Sequence, residues 1–183
     1  MKIVIGISGA SGAIYAHQIL SFLKKETSHE VAVIASPNGK RIMMEELNVK
    51  IQDYGYPVFH PTDYNPPFVS GSGVFDQLVI IPCSMGTLGR IAHGISSDTM
   101  TRTADVFLKE KKKVILVPRE TPFSLIHIEN MKLLSLAGAI IIPAIPSFYS
   151  LPKTVEEVAA TVTSRVLDHM GIENDLMKRW GNT

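Results

Sequence analysis

Five short runs of apolar, largely β-branched residues recur along the 183-residue chain: KIVIGIS from Lys2, EVAVIAS from Glu30, QLVIIPC from Gln77, KVILVPR from Lys113 and AIIIPA from Ala139. Each is nearly continuous rather than alternating, the pattern of strands buried on both faces of a parallel sheet. Helical patterns fill the gaps. They run over Ile14–Lys25 with apolar Ile14, Leu20, Phe22 and Leu23, over Pro37–Leu47, Gly86–His93 and Asp98–Lys111, from a Thr121 cap with Pro122 in the first turn to Gly138, and over Thr154–Met170. Strands alternating with helices predict an α/β fold, a doubly wound parallel sheet in a Rossmann- or flavodoxin-like three-layer αβα arrangement. The length suits a single domain, residues 1–183, with a C-terminal tail from about residue 171. The irregular stretch Pro57–Asp76 is long enough to suggest a functional loop.

Composition removes several classes of function. Eighteen Lys and Arg against seventeen Asp and Glu leave a net charge of +1, so no basic field invites nucleic acid. No apolar run approaches the roughly 20 residues of a bilayer-spanning helix. The first strand begins at Lys2, leaving no room for a signal peptide, and the single Cys83 forms no internal disulfide. A cytoplasmic location is expected. The histidines at 17, 29, 60, 93, 127 and 169 show no metal-ligand spacing, so no metal site is expected.

In doubly wound sheets, ligands bind beyond the carboxyl ends of the strands. The residues expected there are Ser8-Gly9-Ala10-Ser11-Gly12, Ser36, Cys83-Ser84-Met85-Gly86-Thr87, Arg119-Glu120 and Ser147-Phe148-Tyr149. Hydroxyls, small residues and an arginine on one rim favour a phosphate, and the amides that open the helix after Ser11 are candidates to cradle one. A dinucleotide site needs G-x-G-x-x-G and an acid closing the second strand, but Ser8 and Ser36 hold those positions. A P-loop needs a lysine soon after Gly12, and none follows. Tyr149 and Lys153 have the Y-x-x-x-K spacing of short-chain dehydrogenases, but Pro152 breaks the helical turn that would align them. A mononucleotide with one phosphate and a polyol remains, and FMN fits.

These residues resemble the flavin prenyltransferases, the UbiX family, also known as aromatic-acid decarboxylases. The likeness is carried by GISGASGAIYA, PCSMGTLGRIAHGISSD, TRTADVFLKE, LVPRETPFSLIHIENMKLLSLAGAIIIPAIPSFY and the terminal RWG, and it covers nearly the whole chain. It implies a metal-independent enzyme joining the dimethylallyl group of dimethylallyl phosphate to N5 and C6 of reduced FMN. The prenylated FMN would serve a UbiD-type decarboxylase. It also implies a homo-oligomer, a dodecamer, whose C-terminal tail packs on a neighbouring subunit.

Residue by residue, the resemblance assigns FMN contacts to Gly9, Ala10, Ser11, Ser36, Ser84, Met85, Gly86, Thr87 and Arg102. It assigns the donor phosphate to Arg102, Lys109, Arg119, Glu120, Tyr149 and Arg165, and catalytic roles to Ser11, Glu46, Glu120 and Trp180. Glu46, Glu120 and the released phosphate are all candidates for the C6 proton. The stretch FVSGSG at 68–73 departs from the family's usual PASG-like sequence, which leaves the contacts of Ser70–Gly73 unassigned.

Read without the resemblance, several of these residues have plainer roles. Lys109 opens the charged run KEKKK, Arg102 and Arg165 resemble helix-surface charges, and Trp180 resembles a frayed terminus or a subunit contact. His127 suits a satisfied core or interface histidine, and Cys83 suits buried filler. Two competing functions remain: an FMN-dependent cysteine decarboxylase, for which only His17 offers a misplaced candidate, and a non-catalytic small subunit of a hydroxyarylic acid decarboxylase.

Overall fold

The computed structural model describes residues 1–26 and 28–181. Among them six strands form one sheet: β1 (Lys2–Ile7), β2 (Glu30–Ala35), β3 (Val58–Phe59), β4 (Gln77–Cys83), β5 (Lys113–Pro118) and β6 (Ile140–Ile141). Their order is β3-β2-β1-β4-β5-β6, and every ladder is parallel. The chain therefore winds outward from β1 in one direction and from β4 in the other, as the continuous apolar runs predict.

Both faces of the sheet are covered, and β1 shows how. Ile3, Ile5 and Ile7 join a core with Ala16 and Leu20 of α1 (Ala13–Lys25) and Val162 and Val166 of α6 (Val155–Met170). Val4 points the other way, into a core with Leu88 of α3 (Met85–Ala92), Phe107 of α4 (Thr99–Lys109) and Leu134 of α5 (Leu125–Leu136). The pleat sends alternate side chains to opposite layers, so a strand covered on both faces must be apolar throughout. All seven residues of β4 are buried. The remaining helix, α2 (Pro37–Leu47), follows β2 with Pro37 in its first turn.

Three local expectations change. The fifth helix starts at Ser124 rather than Thr121: the Ser124 hydroxyl accepts from the His127 amide, while His127 Nδ1 accepts from the Ser124 amide. That reciprocal box satisfies two groups at once, which a cap at Thr121 does not. The run AIIIPA forms only a two-residue strand at the sheet edge, although the Ile142 and Ala144 amides still donate to the Leu116 and Pro118 carbonyls of β5. The stretch 57–76 is partly structural: it supplies β3 and a 3-10 turn at Pro67–Val69 whose Phe68 is buried edge-on between Phe59 and Phe75.

Candidate active site

The winding direction reverses between β1 and β4, and their carboxyl ends part to leave a crevice. Ser8 joins the two lips. Its buried hydroxyl donates to the Pro82 carbonyl at 2.9 Å and accepts from the Ser84 amide at 2.6 Å. Ser36 caps α2, accepting from the Gly39 amide at 2.9 Å, and Ser84 caps α3, accepting from the Thr87 amide at 3.3 Å. Two helices thus begin at the same place, each aiming the positive end of its dipole at the gap. The hollow they border, about 380 Å³, is lined by Gly9, Ser36, Asn38, Ser84, Gly86, Thr87 and Arg90.

The donor set here suits a phosphate with a hydroxylated chain: three hydroxyls, an amide side chain, a guanidinium and the opening turns of two helices. Gly86 gives a geometric test of the fit. A Cβ added there meets no atom within 4 Å, so any side chain at this position would occupy the hollow itself. The guanidinium at the hollow belongs to Arg90, held by Asp98 at 2.6 Å, and not to Arg102, which pairs with Asp105 at 3.0 Å on the surface of α4. Arg90 and Asn38 were missed from sequence. The available signals were spacing: Arg90 follows Thr87 by three positions on one helical face, and Asn38 directly follows the Ser36-Pro37 helix start.

A second hollow of about 330 Å³ lies at the ends of β5 and β6, with Arg119 and Glu120 set against Phe123, Pro143, Ala144 and Pro146. The loop after β1 connects the two, since Arg119 Nε donates to the Ser11 carbonyl at 3.0 Å. Gly12 turns this loop into α1 with φ at 111°, a left-handed value that favours glycine. The amides that open α1 are not free for a phosphate, contrary to the sequence expectation. Gly12 and Ala13 donate to the Glu46 carboxylate at 3.0 and 2.8 Å, so α2 supplies the anion that caps α1. Burial pushes the Glu46 carboxyl up, but the Ser11 hydroxyl, the Ala13 and Gly12 amides and Arg119 outweigh it, and its pKa is lowered. Glu46 is thereby held as a carboxylate beside Ser11. The Glu120 carboxylate accepts from the Thr121 amide at 3.0 Å.

The expected phosphate cluster does not assemble within one subunit. Lys109 ends α4 just before β5 begins, at the amino edge of the sheet, where it pairs with Glu110. The six residues of β5, about 20 Å, separate that edge from Arg119. Arg165 lies in the last turns of α6, whose end is tied to the same amino edge by Lys113 Nζ donating to the His169 carbonyl at 2.7 Å. Its partner is Asp168, at 2.9 Å. Tyr149 and Trp180 meet edge-on, with ring centroids 5.3 Å apart. The expected residues therefore lie apart: Ser11, Glu46 and Arg119 meet at the loop after β1, with Glu120 beside Arg119 in the second hollow; Tyr149 meets Trp180; Arg165 pairs with Asp168 on α6; and Arg102 and Lys109 pair with Asp105 and Glu110 along α4 and its end.

Of the plainer readings, that of Cys83 as buried filler holds, whereas His127 is a half-buried helix-cap residue rather than a core one. Cys83 is fully buried, which pushes its thiol up to about 12 and leaves it inert. His127 belongs to the α5 cap, and His17 Nδ1 sits 2.5 Å from the Tyr54 hydroxyl. Among the described residues no cluster of His, Cys, Asp and Glu could hold a metal, and no helix is long and apolar enough to cross a membrane.

A doubly wound sheet with capped helix starts, small residues and a guanidinium at its switch point defines a nucleotide-binding protein, one suited to a single phosphate. The family model for flavoproteins matches residues 1–167. The chain is 46% identical to the flavin prenyltransferase UbiX of Methanocaldococcus jannaschii, with 99% of each chain covered. Its structure matches a dodecameric FMN-dependent UbiX-like decarboxylase from Escherichia coli O157:H7 with a TM-score of 0.96, at 37% identity and complete coverage of both chains. It also matches AnUbiX (PadA1), solved with FMN and dimethylallyl pyrophosphate, with a TM-score of 0.95 at 32% identity, covering 100% of this chain and 98% of that one. The chain belongs to the UbiX family of flavin prenyltransferases, within the flavoproteins.

Proposed function

We propose that this enzyme transfers the dimethylallyl group of dimethylallyl phosphate to reduced FMN, without a metal ion, and that its active site is completed between subunits. The observation that carries this reading is the switch-point crevice, whose donors suit a flavin phosphate and ribityl chain, together with a second, largely apolar hollow whose Arg119 is tied to the loop after β1. Gly9, Ala10, Ser11, Ser36, Ser84, Met85, Gly86 and Thr87 hold the FMN, with Asn38 and Arg90 added by the geometry. Bound reduced flavin supplies the two carbon-accepting positions, N5 and C6.

The protein's task is to help an allylic phosphate leave and to keep water from the cation left behind. Arg119 stands at the donor phosphate in its own subunit, and Arg102, Lys109, Tyr149 and Arg165 reach it from neighbouring copies. Fixed cations around the leaving oxygens stabilise charge as it develops, which is the work a metal does in other prenyl transfers. Trp180 offers an electron-rich face to the allyl cation. Glu46, with its lowered pKa and two helix amides, is a poor proton acceptor; Glu120 and the released phosphate are better placed to take the C6 proton.

Assembly is supported by apolar surface that one subunit leaves bare. Leu125, Ile126 and Leu136 of α5 are 72, 70 and 79% exposed, and Ile145, Phe148 and Leu151 after β6 are exposed as well. Such an area on a folded chain marks an interface, and the E. coli relative is dodecameric. We assign this chain the same assembly, as one domain whose tail, residues 171–183, reaches a neighbouring subunit; Asn182 and Thr183 lie outside the described residues. The product serves a UbiD-type decarboxylase in the cytoplasm.

Anaerobic incubation with reduced FMN and dimethylallyl phosphate, followed by mass spectrometry of the flavin, tests the reading. A gain of one five-carbon unit is expected. Unchanged flavin together with a decarboxylated cysteine peptide would transfer the assignment to the cysteine decarboxylases, and unchanged flavin alone to a non-catalytic subunit.

A further inference from the structure

Outside the crevice, one carboxylate gathers an unusual number of donors. Asp168 Oδ2 accepts from Arg165 Nη1 at 2.9 Å and Arg179 Nη1 at 2.5 Å, while Oδ1 accepts from Arg179 Nη2 at 2.8 Å and Asn174 Nδ2 at 3.1 Å. Arg179 also donates to the Asn174 carbonyl at 3.0 Å, and Asn174 Nδ2 reaches the Ser164 carbonyl at 3.3 Å. The tail is thus tied back onto α6 by a two-pronged guanidinium–carboxylate pair whose acceptor is already oriented by an amide side chain. Such pairs fix direction as well as distance.

The tail needs such a tie. Residues 171–181 form no helix or strand, and terminal segments stay loose unless something holds them. Ile172 is buried, Leu176 packs on the core and Met177 is half-buried, but beyond Met177 the one aromatic contact among the described residues is that of Trp180 itself. Arg179 is therefore the last fixed point before the indole. Trp180 is 81% exposed, and its edge-on contact with Tyr149 is too slight to order the chain end unaided.

We infer that Asp168 is the positioning residue of the active-site tail: by clamping Arg179 it presents Trp180 to Tyr149, and through Arg165 it sets the cation of the donor-phosphate group beside that aromatic pair. This rests on the assignment of Tyr149, Arg165 and Trp180 to the donor end of the site, but the clamp itself can be read without any substrate. Two guanidinium groups share one carboxylate, so a positive charge is left over at the place where a phosphate is to be met.

Trp180 is the sole tryptophan of the sequence, so its fluorescence reports the tail directly in flavin-free protein. Asp168→Asn keeps the shape and removes the charge; Arg179→Gln releases the tail while leaving the Arg165–Asp168 pair intact and α6 unaltered. In both, the fast component of the Trp180 anisotropy decay should grow and acrylamide quenching should rise by about twofold, as for a segment that has lost its tether. The KM for dimethylallyl phosphate should rise about tenfold with a smaller change in kcat, the signature of lost binding geometry rather than lost chemistry. FMN affinity should stay unchanged, and Asp168→Glu should recover part of the loss. Unaltered Trp180 anisotropy and quenching in both variants would overturn the inference, whatever the enzyme's activity. Freed Trp180 in variants of a wild-type protein that makes no prenylated flavin would overturn the functional assignment instead and leave the clamp standing.

Discussion

The crevice at the sheet's switch point and the tail on α6 solve the same problem, holding an anion-binding group in place, by opposite means. In the crevice the holding is done by backbone and short side chains: Ser8 stitches Pro82 to Ser84, Ser36 and Ser84 cap their own helices, and Glu46 closes α1. Each tie lies next to a strand end that the core already fixes. In the tail the holding is done by long charged side chains around Asp168, with exposed partners and little apolar support. The first kind of site is ready before its ligand arrives; the second depends on ionic conditions and, in our proposal, on a neighbouring subunit.

The sharpest way to break this contrast is to remove the residue that links crevice and donor end. Arg119→Ala should lower prenyl-transfer turnover by roughly 10²–10³-fold, the usual loss when a preset charge at a developing anion disappears. FMN affinity, measured by titration of flavin fluorescence, should change little; an equal loss of both would merge the two hollows into one binding unit. Gly86→Leu should do the reverse. It fills the hollow and should weaken FMN binding by about 100-fold, or 2.7 kcal/mol, while the thermal midpoint moves by only a few degrees. Retained affinity would place the flavin somewhere other than this crevice.

Ser8→Ala tests how far the crevice relies on its stitch. It leaves the Ser84 amide without its hydroxyl acceptor, while the Pro82 carbonyl keeps the Ser8 amide at 3.2 Å, and denaturant titration should show a loss of about 1–3 kcal/mol. A smaller effect is expected from acid. The Glu46 pKa is lowered on folding, so its contribution to stability is complete above the unfolded value of about 4.3. It is lost as pH falls through the folded value, because the unfolded chain then binds the proton more readily. Thermal midpoints recorded downward from about pH 5 should therefore fall less steeply in Glu46→Gln than in the wild type. The smallest change belongs to the other region: raising salt to about 1 M, where screening extends only about 3 Å, should increase Trp180 quenching without altering FMN affinity. A crevice as salt-sensitive as the tail would erase the distinction between them.

The sheet was legible because its cause is local and repeated. A strand covered on both faces must be apolar at every position, as Ile3–Ile5 and Leu78–Ile81 are, and five such runs alternating with helical patterns point to a parallel sheet. Helix starts at Ser36, Asp98 and Thr154 were nearly as plain, since the hydroxyl or carboxylate that caps a helix lies three residues from the amide it accepts from, whereas the helix expected from Gly86 opens one residue earlier, at Met85, on a Ser84 cap. Val58–Phe59 was missed because two residues carry no readable period, and the Ser124 cap because Thr121-Pro122 offered an equally good signal three residues earlier.

The sequence by itself determined that a rim of hydroxyls, glycines and one arginine would stand at the carboxyl ends of a parallel sheet. Only the tertiary structure decided which of them share a hollow. Glu46 reaches the opening of α1 from 33 positions away, Arg119 finds the Ser11 carbonyl across 108, and Arg90 rather than Arg102 turns into the crevice. Those partners are chosen by how layers pack and where helices end, and no spacing along the chain encodes them. The physical reason is that periodicity and capping act over a few residues, whereas a charge or donor takes whichever partner the folded core brings within about 3 Å.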